Sequence, residues 1–164
     1  MSWQVFAQAA PDLAAFGAHR LHDQVAYLAT LKPDGSPRLH PVRPVVTGGH
    51  LFVFMEATSP KVGDLARDGR CALHCTATGE QPWDLREFAA EGTARRVDDA
   101  ATRATANAGS AFPRDEHFLL YELGVEAATS TVYGADGRPH RERWRARSAT
   151  ALPSRRDQWP SENR

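Results

Sequence analysis

Apolar positions in this chain fall mostly into short runs of strand-forming residues, each bounded by Gly, Pro or Asp. Residues 25–31 form the first run. Pro33-Asp34-Gly35-Ser36 follows, with proline at the front of a turn and glycine where positive φ is needed, so the pattern predicts a hairpin. Residues 38–46 make the return strand. Pro41 and Pro44 cannot donate to a ladder, which predicts one irregular or edge-like side there. Thr47-Gly48-Gly49-His50 reads as a second turn, and 51–55 as a third, almost wholly apolar strand. Further strands are predicted over 70–76, 85–97 and 138–145, with a loop at 80–84. Residues 117–133 form a long β-rich segment with a bend or bulge near Gly124.

Helical spacing is confined to three places. Leu13 and Phe16 share a side over 13–20, residues 60–67 put Val62, Leu65 and Ala66 inward, and 98–108 form the third helix. Asp98 and Asp99 fall in that helix's first turn, as its dipole prefers. Six or seven strands, joined mostly by short turns and flanked by two or three short helices, predict a mainly β, antiparallel barrel. A doubly wound sheet would need a helix after nearly every strand. Residues 1–147 are expected to form one domain. Residues 148–164, dominated by Pro, Ser, Arg, Gln and Asn, read as a flexible or strapping tail.

Composition narrows the partners. The 164 residues suffice for one core, and 20 acidic against 20 basic residues give no bulk attraction to nucleic acid or anionic lipid. The string RERWRAR, in a neutral protein, reads as a solvated strand running into the tail, so no nucleic-acid partner is expected. No apolar run approaches the roughly 20 residues that span a bilayer, and the first residues lack the basic start and apolar core of a secretory signal. Cys71 and Cys75 lie four apart in a predicted strand, about 13 Å from each other by strand rise, which excludes a disulfide between them and suggests a reduced, cytoplasmic setting. His74 has the opposite parity to both cysteines. Neither that trio nor His19, His22 and Asp23 supplies a closed four-ligand set, so no metal is expected.

The candidate chemistry centres on Thr58-Ser59-Pro60-Lys61. Ser59 is a good N-cap and Pro60 suits the first helical position, so free N–H groups, hydroxyls and an ammonium could meet a phosphate. The same residues would equally cap an ordinary surface helix. Arg38 and Arg43 are suited to bidentate phosphate contacts, yet five positions apart they face opposite sides of a regular strand unless the prolines disturb it. His40, on the nominal face of Arg38, is either a polar surface residue or a hydrogen-bond partner to a ring.

The segments AYLATLKPDGSPRLHPVRPV, LFVFMEATSPK and DLARDGRCALH together resemble the pyridoxamine 5'-phosphate oxidase-like, flavin-binding split-barrel family, with a looser likeness from about residue 13 to 144. The resemblance implies a split β-barrel in which Arg38 and Arg43 help bind flavin mononucleotide (FMN). It implies that Ser59 and Lys61, with Thr58 beside them, grip the phosphate, and that Phe54, Met55 and Glu56 line the flavin. It also implies a homodimer with each cofactor between subunits, where Trp83, Phe88, Tyr121 or Trp144 would either face the partner's ring or simply pack the core. The implied function is an FMN-dependent oxidoreductase acting on a small molecule. The alternatives are a reductase using the deazaflavin coenzyme F-420 and a non-catalytic flavin carrier. In a flavin enzyme the ring carries the hydride, which agrees with the absence of a G-x-S-x-G elbow.

Overall fold

The computed structural model describes residues 1–21, 24–78 and 85–147. Its elements run α1 (Trp3–Ala9), α2 (Pro11–Leu21), β1 (Ala26–Leu31), β2 (Pro37–Val42), β3 (Pro44–Thr47), β4 (His50–Glu56), α3 (Pro60–Arg67), β5 (Arg70–Thr78), β6 (Leu85–Val97), α4 (Ala100–Ala108), β7 (Phe118–Leu123), β8 (Ala127–Tyr133) and β9 (Pro139–Arg145). The strands pair in the order β2-β1-β5-β6-β7-β4-β3, while β8 pairs with β6 and β9 with β8, all antiparallel. This is the mainly β, antiparallel split barrel that the sequence predicts.

The 13-residue β6 makes the split. Its residues Arg86–Glu91 pair with β8, and Ala94–Val97 pair with β7. The crossing lies at Gly92, where a Cβ would fall 2.0 Å from the Gly124 carbonyl oxygen.

The described residues hold nine strands and four helices, more than the six or seven and two or three expected. Two predicted strands each divide. Residues 38–46 break at Arg43 into β2 and β3, which lie at opposite ends of the strand path, so neither proline needs to donate to an inner ladder. Residues 117–133 break after Leu123 into β7 and β8, which pair with different stretches of β6. The additional helix is α1, capped by Ser2 and anchored by buried Trp3 and Phe6. Ala66 is exposed, and the carboxylate of Asp64 is buried instead. Asp99 is the N-cap of α4 rather than a first-turn acid, accepting from the Thr102 N–H at 2.7 Å. His22, Asp23, the 80–84 loop with Trp83, and the 148–164 tail lie outside the described residues.

The tight turns follow from glycine. Gly35 sits at φ 80° between β1 and β2, and consecutive Gly48 and Gly49 at 58° and 79° make the two-residue link from Thr47 to His50. Helices α1 and α2 cover the inner face, with Phe6, Leu13, Leu21, Leu28 and Phe88 fully buried. Phe6 meets Trp144 at 4.9 Å between ring centroids and Tyr121 is buried, so Phe88, Tyr121 and Trp144 all pack the core. A smaller cluster of Val45, Phe52, Val97 and Leu120 lies under Ala106 of α4.

Candidate functional site

The β2–β3 break lies on the wall of a cavity of about 650 Å³. Residues 41–46 line one side, Phe54, Met55 and Glu56 at the end of β4 another, and Ser59 and Lys61 the start of α3. The loop after α4 contributes Phe112 and Arg114, and α2 contributes His19. The volume is within the ordinary range for small-molecule pockets, roughly 300–1,000 Å³.

At the helix start, Ser59 has extended backbone but its side chain makes no cap bond. Instead its Oγ accepts from Lys61 Nζ at 2.9 Å. The hydroxyl and the ammonium are thus held together on the cavity wall at the start of α3. Burial pulls the Lys61 pKa below its ordinary value, and the Glu56 carboxylate partly opposes this. Arg43 also lines the cavity, with its guanidinium 5.1 Å from the centroid of Phe112.

Arg38 sits elsewhere. On β2 the side chains of Arg38, His40 and Val42 turn to the more buried face, while Leu39 and Pro41 turn out. Arg38 Nε donates to Asp64 Oδ2 at 2.7 Å, the Thr30 hydroxyl donates to the same oxygen at 2.9 Å, and Arg67 reaches Oδ1 at 3.4 Å. Burial alone would raise the Asp64 carboxyl, but the bonds from Arg38 and Thr30 outweigh it and hold the pKa below the usual carboxylate range. His40 has a buried Nε2 with no partner among the described residues. Burial first, then the charges of Lys61 and Arg38, push its pKa down, so the ring is neutral near pH 7.

Of the nine residues singled out in the sequence, the cavity gathers Arg43, Phe54, Met55, Glu56, Ser59 and Lys61. Arg38, His40 and the exposed Thr58 are not part of its lining. The sequence reading missed Asp64 and the 109–114 loop. Asp64 precedes inward Leu65 in a short amphipathic helix, and its partner Arg38 lies 26 residues away in sequence, so no local signal marks it. The loop offers only an aromatic and an arginine around Pro113.

The site fits a phosphate-bearing ligand on its own chemistry. A bonded ammonium–hydroxyl pair, Lys61 with Ser59, and the Arg43 guanidinium line one cavity with Phe54 and Met55, while the orphaned His40 nitrogen lies outside that lining.

Residues 15–131 match the protein family described as Pyridoxamine 5'-phosphate oxidase. No curated protein sequence matches the chain. Among solved structures, a heme binding protein from Mycobacterium smegmatis is similar with a TM-score of 0.60 and 21% identity, over 77% of this chain. The chain spans 57% of that protein's length. A conserved hypothetical protein from Mycobacterium tuberculosis gives 0.64 and 22%, over 84% of this chain and 93% of the other. PhzG from Burkholderia lata 383, in complex with tetrahydrophenazine-1-carboxylic acid, gives 0.59 and 17%, over 89% and 88%. At these identities the structural likeness speaks for the fold alone.

Proposed function

This chain belongs to the pyridoxamine 5'-phosphate oxidase family, and on that premise we propose that it is an FMN-dependent oxidoreductase acting on a small molecule. The observation that carries the reading is the meeting of Lys61, Ser59 and Arg43 with the Phe54–Glu56 strand end in one cavity. Lys61, Ser59 and Arg43 would hold the phosphate, with Thr58 close by in sequence. Phe54 and Met55 would exclude water from one side of the ring, and Glu56 would keep the Lys61 ammonium charged. Arg38 and His40 would act as support, Arg38 fixed by Asp64 and His40 offering its unpartnered nitrogen as a hydrogen-bonding group. Bound FMN supplies hydride acceptance and release.

A homodimer with the cofactor near the subunit interface is part of the proposal. Val25, Tyr27 and Leu39 expose 43%, 48% and 64% of their surface. Val25 also lines the cavity, and Tyr27 pairs with the lining Pro41, so this apolar face is continuous with the site. Cys71 and Cys75 are both free, burial pushes the Cys71 thiol up to about 12, and a reducing, cytoplasmic setting is part of the proposal. No described helix is long and apolar enough to cross a membrane.

Mass spectrometry of the group released from purified protein tests the reading, with FMN the expected species. Deazaflavin coenzyme F-420 would move the protein to that class of reductase, and heme would align it with the M. smegmatis protein. FMN that binds yet is reduced by no nicotinamide donor or substrate would leave a carrier.

A further inference from the structure

The flavin reading leaves one wall of the cavity unused, the loop 109–114 between α4 and β7. This wall is firmly built. The Asn107 side chain brackets Arg114, accepting from its N–H at 2.9 Å and donating Nδ2 to its carbonyl at 3.0 Å. Ser110 Oγ accepts from the Phe112 N–H at 3.2 Å. Gly109 lies so close to β3 that a Cβ there would fall 2.5 Å from Thr47 Cβ. Phe112 and Arg114 are therefore fixed at their backbone, and both line the cavity.

Their side chains form two guanidinium–aromatic pairs on one wall. Arg114 lies 5.1 Å from the Phe118 centroid, and Arg43 lies 5.1 Å from that of Phe112. Stacking covers a guanidinium face and leaves its edge of N–H donors for a coplanar acceptor. Arg114 forms no ion pair among the described residues, although Asp115 and Glu116 follow it directly in the chain. Phe112 exposes half of its surface at the same wall.

We propose that this wall is the substrate subsite and that it selects planar monocarboxylates, with Arg114 taking the carboxylate and Phe112 offering a ring face. The proposal deepens the flavin reading and rests on it only in giving the phosphate end to Lys61. A guanidinium edge matches a carboxylate in a bidentate, charge-assisted pair, whereas a neutral amide of the same shape supplies one acceptor and no charge. A site spending an arginine in this way should therefore discriminate between the two.

Calorimetric titration of the FMN-loaded protein with benzoate and with benzamide tests this. Benzoate should bind more tightly by roughly tenfold or more. Arg114→Gln should erase that preference while changing FMN affinity by less than about threefold, and Arg114→Lys should restore it only in part. Equal affinity for the two probes in the unaltered protein would overturn the proposal without any variant. Loss of FMN rather than of benzoate in Arg114→Gln would overturn it too, by giving Arg114 to the cofactor. Should the protein take up no FMN, the flavin reading fails on its own. The same titration of the empty protein then decides the subsite, which stands if Arg114→Gln still abolishes the benzoate preference and falls otherwise.

Discussion

Arg38 Nε donates to Asp64 Oδ2 at 2.7 Å, tying the edge strand β2 to the short helix α3 through a carboxylate that is only 3% exposed. Thr30 of β1 donates to the same oxygen, so β1, β2 and α3 share one buried acid. Removing the acid leaves a guanidinium and a hydroxyl with no acceptor. Asp64→Ala should cost about 1–3 kcal/mol, the range for orphaned buried partners. Urea unfolding should show a lower midpoint with an unchanged slope. Adding Arg38→Ala to that background should cost much less than Arg38→Ala alone, because the two share one interaction.

The same pair sets a pH dependence. The folded-state pKa of Asp64 is lowered, so on acidification the unfolded chain takes up this proton before the folded one does. The pair's contribution is complete well above about pH 4, the ordinary carboxylate value, and drains away as pH falls through the lower folded value. Asp64→Asn has no such proton to gain. Its stability should fall less steeply than that of the unaltered protein below about pH 4. Parallel acid limbs in thermal melts would show that the pair carries no weight.

The architecture was legible because it rests on local signals. Turn glycines, strand-forming runs and the absence of a helix after each strand all act over a few residues. The strand boundaries were less so. Nothing in residues 38–46 says that the chain leaves one half-sheet at Arg43 and re-enters the sheet at its far end, since that depends on which strands close the barrel. The site was partly legible for the same reason: Ser59 and Lys61 are set by one helix start, and Phe54, Met55 and Glu56 by one strand end. Asp64 and Arg114 owe their places to contacts 26 and 7 residues distant in sequence, which no local pattern encodes. Parity put Arg38 and Arg43 on opposite faces of one regular strand, but Arg43 stands in the break between β2 and β3, and it lines the cavity without Arg38.

Lys61 separates a phosphate site from an ordinary capped helix. Its ammonium lines the cavity and is bonded to Ser59. Lys61→Ala should weaken FMN binding by about 1–3 kcal/mol, as for a lost charge-assisted bond. Riboflavin, which lacks the phosphate, should bind the variant nearly as well as the unaltered protein. Fluorescence titration with both ligands reads the ratio directly, and an unchanged ratio would remove Lys61 from the phosphate site.

The apolar face at Leu39 is the place to test association. Leu39 is 64% exposed in the single chain and contributes little to its core. A charge there should spare folding and disfavour a second copy. Leu39→Glu is expected to melt within a few degrees of the unaltered protein yet run as a monomer in light scattering. It should also bind FMN more weakly, because the proposed site adjoins that face. A variant that stays dimeric would move the interface elsewhere on the surface.

Two glycines give a matched steric test of the split. Gly92 sits where β6 passes between its two sets of partners, and a Cβ there would lie 2.0 Å from the Gly124 carbonyl oxygen and 3.2 Å from the Glu126 nitrogen. Both are backbone atoms held in place, since Gly124 N donates to the Thr93 carbonyl at 2.8 Å and Glu126 N to that of Glu91 at 2.8 Å. No rotamer change relieves such a clash. Gly92→Ala should destabilise by about 1–3 kcal/mol, toward the upper end, as overpacking against a fixed neighbour does. Gly63, in the interior of α3, has nothing within 4 Å of a Cβ. Gly63→Ala should instead stabilise by about 0.5–1 kcal/mol through helix propensity and a less disordered unfolded chain. Equilibrium unfolding of the two variants side by side is the measurement. If both moved in the same direction, the close crossing at Gly92 could not be what fixes the bend between the half-sheets.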